Sequence, residues 1–200
     1  MEPIERLAKQ IEFVAEADKL KGVLRRVSPI GIDRRENSAE HSWQAILTAM
    51  LLHEHANEEV DLLRVVQMLA IHDVVEVDVG DTFHYEKAAR PNLAELEDKA
   101  AQRLFGMLPS NQAEYYVALW REFESRETPE ARYAAAVDRF MAFVMNFHNG
   151  GGTWLEYNLA AEQILHGNAH IGHGSETLWD FVQSIIEKGL ERGFILKREI

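Results

Sequence analysis

The chain has 200 residues, no cysteine, and 33 acidic against 21 basic side chains, giving a formal net charge of −12. The lack of cysteine excludes disulfides, thiol catalysis and thiolate-held zinc and fits a reducing cytoplasm, while the acidic sheath argues against broad binding of nucleic acid or anionic membranes. Apolar residues at 46% and charged residues at 27% exclude disorder as the default state, and no apolar run is long enough for a transmembrane helix.

The N-terminus is acidic and mixed, unlike a signal or transit peptide. About residues 3–21 carry Ile4, Leu7, Ile11, Val14 and Leu20 at helical spacing, and Gly22 marks a break. Residues 22–37, with Ser28-Pro29 and Gly31, read as a loop. Asn37 and Ser38 are N-cap candidates, and Glu40 stands where a capping-box partner of Asn37 would. The helix they open is predicted to run to about Ala56, with Trp43, Ile46, Leu47, Met50 and Leu51 as its buried stripe. Asn57 is predicted to cap the next helix, which carries Val60, Leu63, Val66, Leu69 and Ala70. From Met68 to Val75 the chain is apolar apart from His72-Asp73, and VEVDVGDTF then leaves the helix, with Gly80 as the turn residue.

Further helices are predicted from Pro91-Asn92 to about Phe105, from Pro109 to about Glu124, and from Thr128-Pro129 to about Phe147. HNGGGTW reads as a loop, residues 154–166 as a short helix, and GNAHIGHGS as a second loop before Ser175 caps a last helix to about Lys188. No internal repeat or linker divides the chain. The expected fold is all-α, a single domain over residues 1–200 with about six main helices in a compact bundle. The motif-bearing core is expected at about 10–150, with a C-terminal helical extension at 151–200.

Three polar anomalies interrupt the apolar pattern. His72-Asp73 lies in an otherwise apolar helical segment, where a buried carboxylate must be paired or bind a metal. Asp138 is surrounded on its helix by positions 134, 135, 141, 142 and 145, all Ala or Met; Arg139, about 100° round the helix, is a poor partner for it. His41 falls in the first turn after NSAE. Each has an ordinary reading: a locally paired Asp beside a core His, a carboxylate met by a buried Arg, a capping His. Together, two imidazoles and two carboxylates suit a divalent ion, and their three helices match the way bundle folds build metal sites.

ENSAEHSW, MLAIHDVVEVDVGDT and LWREFESRETPEARYAAAVDRFMAFV resemble the HD-domain metal-dependent phosphohydrolases, whose ordered signature is His, a His-Asp doublet and a distant Asp. The chain is similar in particular to the 5′-deoxynucleotidase branch, where the doublet is followed by Glu and then Gly-Asp, as Glu76 and Gly80-Asp81 are here. The resemblance covers about residues 10–150. It implies one divalent ion (Mn, Co, Zn, Ni or Mg) on His41, His72, Asp73 and Asp138. It also implies functional roles for two acids, Glu76 as acid or base and Asp81 as its partner or as the group orienting water.

The densest cationic stretch holds Lys19, Lys21, Arg25, Arg26, Arg34 and Arg35. Arginine suits phosphate through its bidentate fork. In the branch an Arg here contacts the phosphate, and Arg25 is the nearest match. The Trp that commonly follows it is replaced by Val27-Ser28-Pro29. The implied reaction is hydrolysis of a (deoxy)nucleoside 5′-monophosphate to nucleoside and phosphate, with a small anionic phosphorylated substrate as partner. The branch often forms homodimers, which exposed apolar helix faces would permit.

Alternatives are a dinuclear HD oxygenase or phosphodiesterase and a non-catalytic metal- or nucleotide-binding module. The first carries further histidines between doublet and last Asp, where this chain has only His84. His166, His170 and His173 read as loop histidines, His53 and His55 as surface residues, and Trp154 as core or interface packing.

Overall fold

A computed structural model describes residues 2–85 and 91–196. Among these, the only β-type pairings are two isolated bridges, so the fold is all-α as expected. The helices are α1 (Pro3–Ala17), α2 (Ser38–Leu52), α3 (Leu62–Ile71), α4 (Glu76–Val79), α5 (Leu93–Phe105), α6 (Ser110–Ser125), α7 (Pro129–His148), α8 (Thr153–Glu156), α9 (Ala161–Asn168), α10 (Ile171–Gly174) and α11 (Glu176–Glu191).

The central element is α7, against which α2, α3, α6, α10 and α11 all pack. Its sequence explains this role. Thr128 accepts from the Ala131 N–H and Pro129 sits in the first turn, giving the helix a firm start. Ala131, Ala134, Ala135 and Ala136 are buried and let neighbouring helices approach closely, while Tyr133, Val137, Phe140 and Phe143 fill the space between them. One apolar core runs from Ala45 to Ile195.

One reading of a helix face is corrected. On α2 the predicted stripe faces outward: Trp43 is 66% and Leu51 65% exposed, and Leu47 and Met50 are exposed too, with Ile46 half-buried. The buried face is instead Ser38, His41, Ser42, Ala45, Thr48 and Ala49. Both sets share helical spacing, but only the small-residue face allows α2 to press against α3 and α7. The same rotation turns His41 inward. α1 buries no residue, and its stripe Ile4, Leu7, Ile11 and Val14 is exposed throughout.

Asn57 does not cap α3; the Asp61 carboxylate does, accepting from Leu63 and Arg64. Asn57 instead accepts from the Glu176 N–H at the start of α11 and donates to the carbonyls of Gly172 and His173. The segment read as the loop GNAHIGHGS contains α10, which lies against α7 at Gly174, where a Cβ would meet the Arg132 carbonyl at 2.3 Å. Residues 154–166 form two short helices, α8 and α9.

Candidate active site

The site is assembled from the first turn of α2, the end of α3 and the middle of α7. The strand-like segment before α2 is fastened first. Arg25 N–H donates to the Glu36 carbonyl (2.9 Å), Glu36 N–H to Val27 (2.9 Å) and Ser38 N–H to Val23 (3.0 Å). Asn37 and Glu40 then close the predicted capping box, which fixes the first turn of α2 and with it His41. Arg25, Glu36, Ser38 and His41 are thus placed by one local motif.

α3 stops at Ile71, and residues 72–75 form tight turns rather than continuing the helix. The His72 carbonyl accepts from the Trp120 indole N–H at 3.2 Å, and its Nδ1 faces the Leu69 carbonyl at 2.9 Å. That contact assigns the Nδ1 proton and leaves the Nε2 lone pair pointing at the other ligands. Glu76 still reaches the site because α4 begins at once, its N–H bonded to the Asp73 carbonyl. Gly80, at φ 72°, turns the chain so that Asp81 comes within 3.9 Å of Arg25 Nη1.

All seven residues singled out from the sequence meet here. His41 Nε2 is 2.7 Å from Asp138 Oδ1 and 4.0 Å from Asp73 Oδ2. His72 Nε2 is 3.2 Å from Asp73 Oδ1 and 3.7 Å from Asp138 Oδ1. Ligand atoms of His41, His72 and Asp73 lie within 4.8 Å of one another, a spacing that can hold a metal ion. Asp138 is bonded to the same His41 nitrogen that such an ion would use. Arg25 Nη1 reaches Asp73 Oδ2 at 3.1 Å, and the Glu76 carboxylate accepts from the Ser38 hydroxyl at 2.5 Å.

The electrostatics favour a dication. Burial, then the Asp73 charge, holds the Glu76 carboxyl well above the usual range, and burial likewise raises Asp81 against the pull of Arg25. Burial opposes a charged Asp138, but the hydrogen bond with His41 and the proximity of His72 outweigh it and hold that carboxyl well below the usual range. Burial also disfavours the His72 cation, yet Asp73 and Asp138 push it up to about 9. Protons therefore occupy this acid-rich cluster, and a divalent ion would replace them. His72 Nε2 is buried with no hydrogen-bond partner, as a waiting ligand atom would be.

Sequence reasoning missed Glu36, Ser38, Arg126 and Arg139. Glu36 is buried with Oε2 3.4 Å from Arg25 Nε and 3.8 Å from His41 Nδ1, and burial pushes it up to about 7. It links the phosphate-binding candidate to a ligand candidate; its place directly before the Asn37 cap was the available signal. Of the cationic stretch, Lys19, Lys21, Arg34 and Arg35 pair with Glu16, Asp18, Glu40 and Glu156. Only Arg25 and Arg26 line the recess beside the cluster. Arg126, Arg139, Tyr85, Asn146 and Trp154 line it too. Trp154 is buried against Phe143, consistent with core packing. His166 and His173 are exposed and His170 is half-buried, so the three do not converge on a second metal site.

The comparisons with known proteins agree with this geometry. The HD-domain family profile matches residues 17–179. The 5′-deoxynucleotidase hdd1 of Schizosaccharomyces pombe is 28% identical over 68% of this chain and 72% of its own length. The 5′-deoxynucleotidase HDDC2 of Bos taurus is 26% identical, over 60% of each chain. A crystal structure of a predicted metal-dependent phosphohydrolase from Magnetospirillum magnetotacticum MS-1 superposes with a TM-score of 0.91 at 43% identity, covering 96% of both chains. The chain belongs to the HD-domain family, among its metal-dependent phosphohydrolases. No helix of the described residues is long and apolar enough to cross a membrane.

Proposed function

We propose that the chain hydrolyses phosphomonoesters of the (deoxy)nucleoside 5′-monophosphate class, releasing nucleoside and phosphate. The observation that carries this reading is the convergence of His41, His72, Asp73 and Asp138 beside Arg25, Glu76 and Asp81. The two 5′-deoxynucleotidase relatives supply the nucleotide part of the reading.

His41, His72, Asp73 and Asp138 would hold one divalent ion, which when bound supplies Lewis acidity to a phosphate oxygen and to water. Arg25 holds the phosphate by its guanidinium, which Asp73 and Glu36 keep aimed into the recess. Glu36 sets a carboxyl 3.8 Å from His41 Nδ1, while Nε2 faces the other ligand candidates. Glu76, whose carboxyl burial keeps protonated, delivers its proton to the leaving ribose oxygen, or in its ionised form takes one from the attacking water. Ser38 orients it by donating to Oε2. Asp81 orients the water and shares Arg25 with Asp73.

Phosphate release from a panel of deoxyribonucleoside and ribonucleoside 5′-monophosphates, with sugar phosphates as controls, tests this reading. Release is expected from the nucleotides and not from the sugar phosphates; the reverse order would move the substrate to another class.

A homodimer belongs to the same proposal. The outward rows Ile4, Leu7, Ile11, Val14 and Trp43, Leu47, Met50, Leu51 leave large apolar side chains in water, and a second copy would bury them. Light scattering should give twice the chain mass of 22.9 kDa, and Trp43→Asp should lower it. A monomer at micromolar concentration would rule the dimer out.

A further inference from the structure

The recess has a second arm that the metal cluster does not use. Asp138 points from α7 towards His41 and His72. Arg139, the next residue, turns instead towards α9, where its Nε donates to Asn168 Oδ1 at 3.1 Å. Asn168 in turn donates to the Tyr85 hydroxyl at 3.0 Å. The guanidinium is therefore held from one side, and among the described residues no carboxylate forms an ion pair with it. Arg126 and Arg26 line the same recess and also lack an ion pair among the described residues. This is unusual in a chain whose other cations, from Lys19 to Arg132, are widely paired with acids.

Two features show that the arm is costly to maintain. Arg126 adopts a left-handed backbone, φ 53° and ψ 32°, where Gly or Asn ordinarily ends a helix. Arg139 lines one recess together with Arg25, Arg26 and Arg126, a gathering of like charges. His170 lies close by, with a buried Nε2 that has no hydrogen-bond partner. Burial, then Arg126 and Arg139, hold its pKa down to about 3, so it adds no charge but offers a polar atom. An anion in this arm would relieve the repulsion and engage the free guanidinium edges. One phosphate at Arg25 would leave Arg26, Arg126 and Arg139 without an ion-pair partner among the described residues.

We infer that Arg126 and Arg139, with Arg26, form a second anion subsite, so that the substrate is a phosphomonoester carrying a second phosphate away from the one that is cleaved. The subsite rests on the proposed function for the position of the cleaved phosphate, but the charge arrangement stands without it.

Two measurements separate these claims. Calorimetry with inorganic phosphate on chelator-treated full-length protein reads the subsite without metal or turnover. Wild type is expected to bind phosphate, and R126Q and R139Q to weaken it about tenfold. R139K, which keeps the charge, should retain most of the affinity. Arg126→Gly suits the left-handed backbone and guards against a folding defect; it should behave as R126Q does. The second measurement is the ratio of kcat/KM for 2′-deoxyadenosine 3′,5′-bisphosphate to that for the 5′-monophosphate. A wild-type preference of about tenfold for the bisphosphate is expected, falling towards parity in R126Q and R139Q. No phosphate binding in wild type, equal binding in the folded variants, or parity of the two esters in wild type would overturn the subsite. Phosphate binding lost in the variants, with neither ester cleaved, would uphold the subsite and count against the proposed function.

Discussion

Asp73→Ala is expected to lose both metal and activity. Its two carboxylate oxygens serve different neighbours: Oδ1 lies 3.2 Å from His72 Nε2, and Oδ2 lies 3.1 Å from Arg25 Nη1. Removing them takes away a ligand and also releases Arg25, whose Nε has no hydrogen-bond partner. The buried guanidinium would then lean on Glu36, 3.4 Å away, and on the more distant Asp81 at 3.9 Å. Metal affinity should fall by about 10²-fold or more and turnover by about 10³-fold. Metal-induced thermal stabilisation provides a readout independent of catalysis, because a ion that binds only the folded state raises its melting temperature. Wild type should be stabilised by added manganese or cobalt and D73A should not. Undiminished stabilisation in D73A would remove Asp73 from the ligand set.

Glu76→Gln is expected to separate chemistry from binding. Glu76 contacts Ser38, not the imidazoles, and the elements that place His41, His72 and Asp138 do not depend on its charge. The variant should therefore hold metal as wild type does while turnover falls by about 10²–10⁴-fold. Burial, reinforced by Asp73, already favours the protonated carboxyl, so the amide is a modest structural change. What it removes is the ability to exchange a proton. Wild-type turnover in E76Q would take the residue out of the mechanism and leave Asp81, 3.9 Å from Arg25 Nη1, as the remaining acid for proton transfer.

Much of this site is legible in the amino-acid order. His72-Asp73 and Asp138 stand out because each interrupts a run of apolar residues on a helix, where an unpaired charge is too costly to keep. The Asn37–Glu40 capping box located the start of α2 and therefore His41, and the structure forms that box. The resemblance to HD-domain phosphohydrolases added Glu76, Asp81 and Arg25, all of which reach the cluster.

Other parts depend on tertiary approach. Trp43, Leu47, Met50 and Leu51 have the same period as a buried stripe, yet the buried face of α2 is the less hydrophobic row through Ser42, Ala45 and Ala49. Periodicity finds two faces and does not say which one meets α7. Glu36 looked like a loop acid until two backbone hydrogen bonds set it between Arg25 and His41. Sequence neighbourhood relates Arg139 only to Asp138. Its environment comes from α9 and Tyr85, both distant in sequence. Gly172 and Gly174 signal turns in the sequence, yet Gly174 is the point where α10 presses on the backbone of α7.

The most direct test of the central claim is metal-restored phosphate release. Chelator-stripped protein would be offered a deoxyribonucleoside 5′-monophosphate, with manganese, cobalt, zinc, nickel or magnesium added in turn, and bound metal counted alongside free phosphate. The account predicts no release from the stripped protein, restoration by at least one ion, and about one ion per chain at full activity. Equal release with and without metal, or stoichiometric binding with no release from any phosphomonoester, would contradict it.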